Sequence, residues 1–233
     1  MSAHVSTMKP YKGMGMEGAI ARWYAGTTKK SLNDFQELAR RVAEQISAHA
    51  TVLEVAPGPG YFAIELAKLG DYQITGLDIS ETFVEIARAN TFRAGVQVDF
   101  RRGNASLMPF DNDSFDFLLC RAAFKNFSEP QAALDEMYRV LKPGGQAMII
   151  DLRRDASMHS INDAVNQMKL GTVNRFLVKH AFRLMLLKRA YTKKEFQDMI
   201  SRTKFDNAEI RENLMGFEIV LSKKNSVLAF NYY

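Results

Sequence analysis

At 233 residues the chain is long enough for one well-cored α/β domain and too short for two. Its composition, 47% hydrophobic and 24% charged, is that of an ordinary soluble globular protein, with no apolar run near the ~20 residues that span a bilayer and no signal-peptide core. One cysteine, Cys120, excludes an internal disulfide and fits a reducing cytoplasm, and the net charge of +5 gains meaning only when mapped along the chain.

Residues 1 to about 18, rich in Met, Gly and Ser, lack periodicity and predict a mobile arm. Ala19–Tyr24 gives a short helical or turn element carrying the only tryptophan, Trp23. Ser31-Leu-Asn-Asp34 matches a capping box, and Leu32, Phe35, Leu38, Ala39, Val42 and Ile46 follow at helical spacing. This helix leads into Thr51-Val-Leu-Glu-Val55, an apolar strand around one carboxylate, Glu54. The strand breaks at Pro57-Gly58-Pro59-Gly60, after which Phe62, Leu66 and Leu69 resume at helix period. A buried strand, a glycine turn and a helix start bring backbone N–H groups close to a ligand. The fingerprint G-x-G-x-x-G is not met, because Ala56 holds its first position and Ala63 lies three past Gly60. The turn therefore fits a nucleoside better than a pyrophosphate.

A second apolar strand, Tyr72–Asp78, ends in an acid placed to accept both hydroxyls of a ribose. Ser80 opens a helix to about Asn90 with Phe83, Val84, Ile86 and Ala87 inward, and Val96–Phe100 alternates as a third strand. Ser114–Cys120, almost wholly apolar, reads as a central parallel strand. Its carboxyl end faces the cleft where open α/β sheets bind ligands, which makes Arg121, Phe124, Lys125 and Asn126 candidates for cofactor-tail or substrate contact. Cys120 reads as a small buried hydrophobe rather than a nucleophile. Ser128-Glu-Pro-Gln131 caps the next helix, and Lys142-Pro-Gly-Gly145 stops it.

Gln146–Leu152 is the fifth strand. Asp151 at its end reads as a base or substrate anchor, or equally as a surface acid balanced by Arg153. An insertion up to Thr192 carries helical spacing at Ile161–Met168 and over Val173–Leu187. Of the 31 basic residues, eight lie in 169–194 with no acid among them, which leaves 23 basic against 26 acidic elsewhere. That segment suits an anionic substrate, a membrane surface or a nucleic acid, or is the solvated face of a lid. Thr192–Glu195 is a further capping box, and Ala208–Asn213 with Phe217–Ser222 form a closing hairpin. The four histidines are scattered and no metal-ligand spacing occurs.

Five motifs thus stand in order: Glu54-x-Ala56-x-Gly58-x-Gly60, Asp78, Gly103–Phe110, Asp113-Ser-Phe-Asp-Phe117 and Leu141-Lys-Pro-Gly-Gly145. Together they resemble a class I S-adenosylmethionine-dependent methyltransferase, nearest the small-molecule branch that includes the ubiquinone/menaquinone C-methyltransferase-like enzymes, over roughly residues 30 to 155. The resemblance implies an α/β fold, a Rossmann-like doubly wound sheet of seven strands with a helical lid at about 155–190 between the fifth strand and the last helix. Residues 31–233 would form the methyltransferase domain behind an N-terminal arm, 1–30, of the kind that folds over the cofactor in this family.

The implied cofactor is S-adenosyl-L-methionine, and the implied reaction is in-line transfer of its methyl group to a small molecule. Gly58 and Gly60 would admit the methionine and ribose portions, Glu54 would orient the amino-acid tail, and Asp78 would hold the ribose with Ile79 against adenine. Asn104 stands where the family usually has Asp; it would take the adenine amino group, with Ala105 N–H at the ring, or it only shapes a turn. Tyr24, Trp23 or Arg22 would contact cofactor or substrate, unless Trp23 merely packs the arm onto the domain. Trp23, Phe124, Lys125, Asp151 and Phe176 are the substrate candidates, and no catalytic residue is assigned. Two other readings stand beside this one. An RNA methyltransferase would use the basic segment, but nucleic-acid amino-methyltransferases usually carry Asn/Asp-Pro-Pro-aromatic where this chain has Cys120–Phe127. A non-catalytic relative would keep the fold as a binding module. A monomer and a homodimer are both compatible with the sequence, and the basic apolar insertion offers peripheral membrane contact.

Overall fold

The computed structural model describes residues 11–12, 15–157, 159 and 188–225. The expected lid helices, with Phe176 and most of the basic segment, lie outside the described residues.

Alternating burial along the strands divides the apolar side chains between two faces of one sheet. Seven strands, β1 (Thr51–Val55), β2 (Gln73–Asp78), β3 (Asp99–Arg102), β4 (Phe115–Arg121), β5 (Leu141–Leu152), β6 (Asn207–Glu212) and β7 (Gly216–Ser222), lie in the order β3-β2-β1-β4-β5-β7-β6. β1 to β5 pair in parallel and β7 runs antiparallel to both its neighbours. On one face α2 (Leu32–Ala43), α3 (Tyr61–Ala67) and α4 (Glu81–Ala94) cover Val52, Ile74, Phe117 and Leu119. On the other, α5 (Pro130–Val140) and α6 (Lys193–Ile200) cover Leu53, Val55, Leu118, Cys120 and Ile149. From Phe117 onward alternate residues of β4 serve opposite faces, as the period of a strand requires. Each fully buried Leu or Phe contributes ~1.5–3 kcal/mol, so the central strand anchors both layers. The chain leaves β1 for β2 and β3 on one side and returns to β4 on the other, a switch point whose crevice lies beyond the carboxyl ends.

Several local expectations shift. The capping box at Ser31 is not formed, because α1 (Gly18–Thr28) runs through a 3-10 turn at Lys29–Ser31 straight into α2. Glu129, not Ser128, precedes α5, with Pro130 in its first turn, and no side chain caps it. The third strand starts at Asp99 rather than Val96, and β5 starts at Leu141, five residues ahead of Gln146, with a register irregularity opposite Phe115–Phe117. The capping box at Thr192–Glu195 forms completely, and Ser80 Oγ accepts the Phe83 amide. Cys120 is buried in the core, and burial pushes its thiol pKa well up, as a small apolar packing residue requires. Among the described residues no helix is long and apolar enough to cross a membrane, and no cluster of side chains can hold a metal ion.

Candidate active site

The tip of β1 and the turn after it carry unusual backbone. Ala56 (φ 55°), Gly58 (φ 56°) and Gly60 (φ 76°) all adopt left-handed conformations, which curl the chain back over the sheet. A Cβ at Gly60 would sit 2.5 Å from the Phe100 ring, whereas the space beside Gly58 is open. That open space is room for a ligand against bare backbone. Gly60 has no side chain to cap α3, and Glu54 does so from the strand: its buried carboxyl accepts the Ala63 amide at 3.1 Å. Burial raises the Glu54 pKa to about 8, despite the Ala63 bond and the Arg121 charge. Part of the role expected of Glu54 is therefore structural.

Asp78 ends β2 beside this turn. One carboxylate oxygen accepts the Gly58 amide and the other the Ser80 amide, both at 2.9 Å, so the acid ties the glycine turn to the start of α4. Burial raises its pKa to about 6, against the pull of those amides. Each oxygen keeps a second lone pair for a ligand hydroxyl. The Gly103 amide donates to the Asp78 carbonyl at 2.9 Å, which brings Asn104 and Ala105 to the same rim. Asn104 Oδ1 accepts the Ser106 amide at 3.0 Å, so the turn-shaping reading holds for one lone pair of that oxygen. Half-buried Ile79 completes the rim.

The N-terminal segment crosses this mouth. Tyr11 bridges Phe127, and the Lys12 amide donates to the Asn126 carbonyl at 2.8 Å, which fastens the chain to the loop after β4. Ser80 Oγ donates to the Met16 carbonyl at 2.7 Å, and the Glu17 carboxylate accepts the Glu81 and Thr82 amides, each at 3.1 Å. The described part of the expected mobile arm is thus anchored on both sides of the crevice. Tyr11 was not a sequence candidate, because the aperiodic stretch around it gives no signal. Its hydroxyl is buried and finds no well-placed hydrogen-bond partner among the described residues, with the Met16 backbone near it. Burial first, then the charges of Asp78 and Glu17, push its pKa up to about 12, so it remains a proton donor. An orphaned donor beside a carboxylate and an open glycine turn fits a polyhydroxylated nucleoside.

Most other candidates fall away from the mouth, Arg121 at the end of β4 beside Ala56 being the exception. Trp23 is 70% exposed on the outer side of α1, so it does not pack the arm; Tyr24 does, with its ring 5.8 Å from that of Phe83. Phe124 is core, stacked among Phe127, Tyr191 and Phe196. Lys125 and Asp151 form a buried ion pair at 2.9 Å, with the Lys125 amide also donating to Asp151. Asp151 is therefore neither a surface acid nor balanced by Arg153, which pairs with Asp155 and Glu212 instead. Arg121 points to the α2 side, its guanidinium 4.3 Å from the Phe35 ring centroid. Of the basic segment's described residues, Lys193 pairs with Glu212 at 2.9 Å.

Residues 53–149 match the family model described as a methyltransferase domain. A demethylmenaquinone methyltransferase of Deinococcus radiodurans is 35% identical over 51% of this chain and 50% of its own length. A malonyl-[acyl-carrier protein] O-methyltransferase of Erwinia billingiae is 32% identical over 68% of this chain and 63% of its own. The chain thus spans about half to under two thirds of these curated relatives. A Methanococcus maripaludis protein, solved as a candidate S-adenosyl-L-methionine-dependent methyltransferase, superposes with a TM-score of 0.72 at 21% identity, covering 93% of this chain and 98% of that one. At that identity the likeness shows the fold alone.

Proposed function

We propose that the chain, which carries a methyltransferase domain, is a class I S-adenosylmethionine-dependent methyltransferase that transfers a methyl group to a small-molecule acceptor by in-line displacement. The observation that carries the reading is Asp78, buried at the strand tip and bonded to the Gly58 amide across an open left-handed turn.

Bound S-adenosylmethionine supplies a methyl group already activated by its sulfonium charge. The chain's task is then to hold, orient and keep water out. Gly58 and Gly60 would present bare backbone to the methionine and ribose portions. Asp78 would accept the ribose hydroxyls, with Tyr11 beside it as a donor. Ile79 would take the adenine side, Asn104 would accept its amino group with the remaining lone pair of Oδ1, and the Ala105 amide would face the ring. Glu54 and Ala56 would set the turn's shape for the amino-acid tail. The small-molecule acceptors named for the relatives, a demethylmenaquinone and a malonyl group on a carrier protein, support this class of acceptor.

Calorimetric titration with S-adenosylhomocysteine tests the reading. Wild type binds at micromolar levels, and Asp78→Ala loses at least ~1.5 kcal/mol, the cost of a buried charged hydrogen bond. Asp78→Asn, which still accepts one amide, serves as the folding control. Absence of binding by a cooperatively folded wild type removes the assignment.

A further inference from the structure

Resting on the methyl-transfer reading, we propose that the cleft between α2 and the carboxyl ends of β4 and β5 is the acceptor site, and that Arg121 there binds a carboxylate of the acceptor. The cleft measures about 640 Å³, room for a small molecule, and is lined by Asn33, Gln36, Arg41, Arg121, Ile150 and Glu218 among others. Its other arginines are committed: both nitrogen–oxygen contacts of Arg41 with Glu218 are 2.7 Å, and Arg40 meets Glu37 at 3.1 Å. Arg121 is half-buried and stacked on Phe35, with no ion pair to any described carboxylate. Glu54 is the acid whose charge reaches it, and burial keeps Glu54 largely protonated at neutral pH.

A half-buried guanidinium with a stacked face and free N–H edges is built for a fork-to-fork contact with a planar carboxylate. The side-chain amides of Asn33 and Gln36 make no hydrogen bond among the described residues and line the same cleft. Asp34 and Glu37 stand at the rim, exposed to water. Strand pairing links the cleft to the glycine turn: Cys120 pairs with Val55, so Arg121 ends β4 beside Ala56, and its charge reaches Glu54 on β1. A ligand held by Arg121 therefore lies at the strand ends next to the turn where the methyl donor would be held.

The amino-acid tail of the cofactor also ends in a carboxylate, and the test separates the two sources. The probes are S-adenosylhomocysteine, 5′-methylthioadenosine (which lacks that tail), benzoate and benzamide. With S-adenosylhomocysteine bound, saturation-transfer NMR on wild type shows benzoate binding and no benzamide binding. Arg121→Gln loses the benzoate signal at least tenfold while S-adenosylhomocysteine affinity stays within twofold. Arg121→Lys, which keeps the charge, retains part of the benzoate signal and so tells a lost charge from a damaged fold. The proposal is overturned if wild type ignores benzoate, or if Arg121→Gln binds it normally. It is overturned too if that variant weakens S-adenosylhomocysteine tenfold and spares 5′-methylthioadenosine, which assigns the arginine to the cofactor tail. Failure of wild type to bind S-adenosylhomocysteine at all sinks the methyl-transfer reading itself, a distinct result.

Discussion

At φ 55° Ala56 holds a left-handed backbone directly after β1, where its amide donates to the Leu77 carbonyl at 2.8 Å. A Cβ in that conformation costs ~1–2 kcal/mol, and glycine avoids the cost at an unfolded-state penalty of ~0.4–1 kcal/mol. Ala56→Gly is therefore expected to stabilise the fold by ~0.5–1 kcal/mol, read as a raised urea midpoint with unchanged slope; a lowered midpoint would show that the methyl group packs. Here the residue pattern was informative, because Ala56 was the visible departure from a glycine fingerprint and the strain is its consequence. The Lys125–Asp151 pair was not legible. Both residues were noticed as candidates for the cleft, but nothing in the sequence signals that the turn after β4 folds the ammonium onto the neighbouring strand. Because both charges are buried, Lys125→Ala should cost ~3–5 kcal/mol by leaving Asp151 unpaired, whereas an apolar pair, Lys125→Met with Asp151→Leu, should cost less. Chemical unfolding of the two variants decides it; equal losses would mean that packing rather than charge holds the site.

Helices and central strands were readable because each needs one periodic apolar face, and Phe35, Leu38 and Val42 or Phe117 and Leu119 state theirs outright. Caps were less readable. Ser31 has the right chemistry, but the preceding turn continues as helix and leaves no free amides to cap. The segment over the mouth was wholly illegible as structure, since it is held by its Lys12 amide on the Asn126 carbonyl, its Met16 carbonyl on Ser80 Oγ, and the Glu81 and Thr82 amides on Glu17, the one side chain it contributes to α4 through a carboxylate. That single carboxylate at the start of a helix gives the segment a specific hold, and its own pKa is lowered by the bonds it makes, against the effect of burial. Glu17→Ala should free the segment, weaken S-adenosylhomocysteine binding severalfold and speed hydrogen exchange at the Glu81 and Thr82 amides. Faster exchange without weaker binding would mean that the segment covers the crevice but contributes nothing to the ligand.

Across the whole molecule, carboxylates divide into two groups with opposite pH consequences. Asp116, Glu136 and Glu195 have lowered pKa values, Asp116 through Lys142 and Thr51, Glu136 through Arg139, and Glu195 through the Thr192 amide. Their contribution is present above the unfolded values and is lost as pH falls. Glu54 and Asp78 are the reverse case: burial lifts them to about 8 and about 6, from 4.5 and 3.8. For them the native state binds more protons than the unfolded chain between those values, so stability declines as pH rises through that window. The ligand-free protein should then be most stable near pH 5 and lose on the order of a few kcal/mol by pH 8, with the upper part of the decline due to Glu54. Glu54→Gln keeps an acceptor for the Ala63 amide and cannot ionise, so its urea-unfolding profile should level off above pH 7, once Asp78 has titrated, where wild type still falls. A wild-type profile that stays level or climbs from pH 5 to 8 would show that Glu54 is ionised in the fold, and the neutral partner argued for Arg121 would go with it.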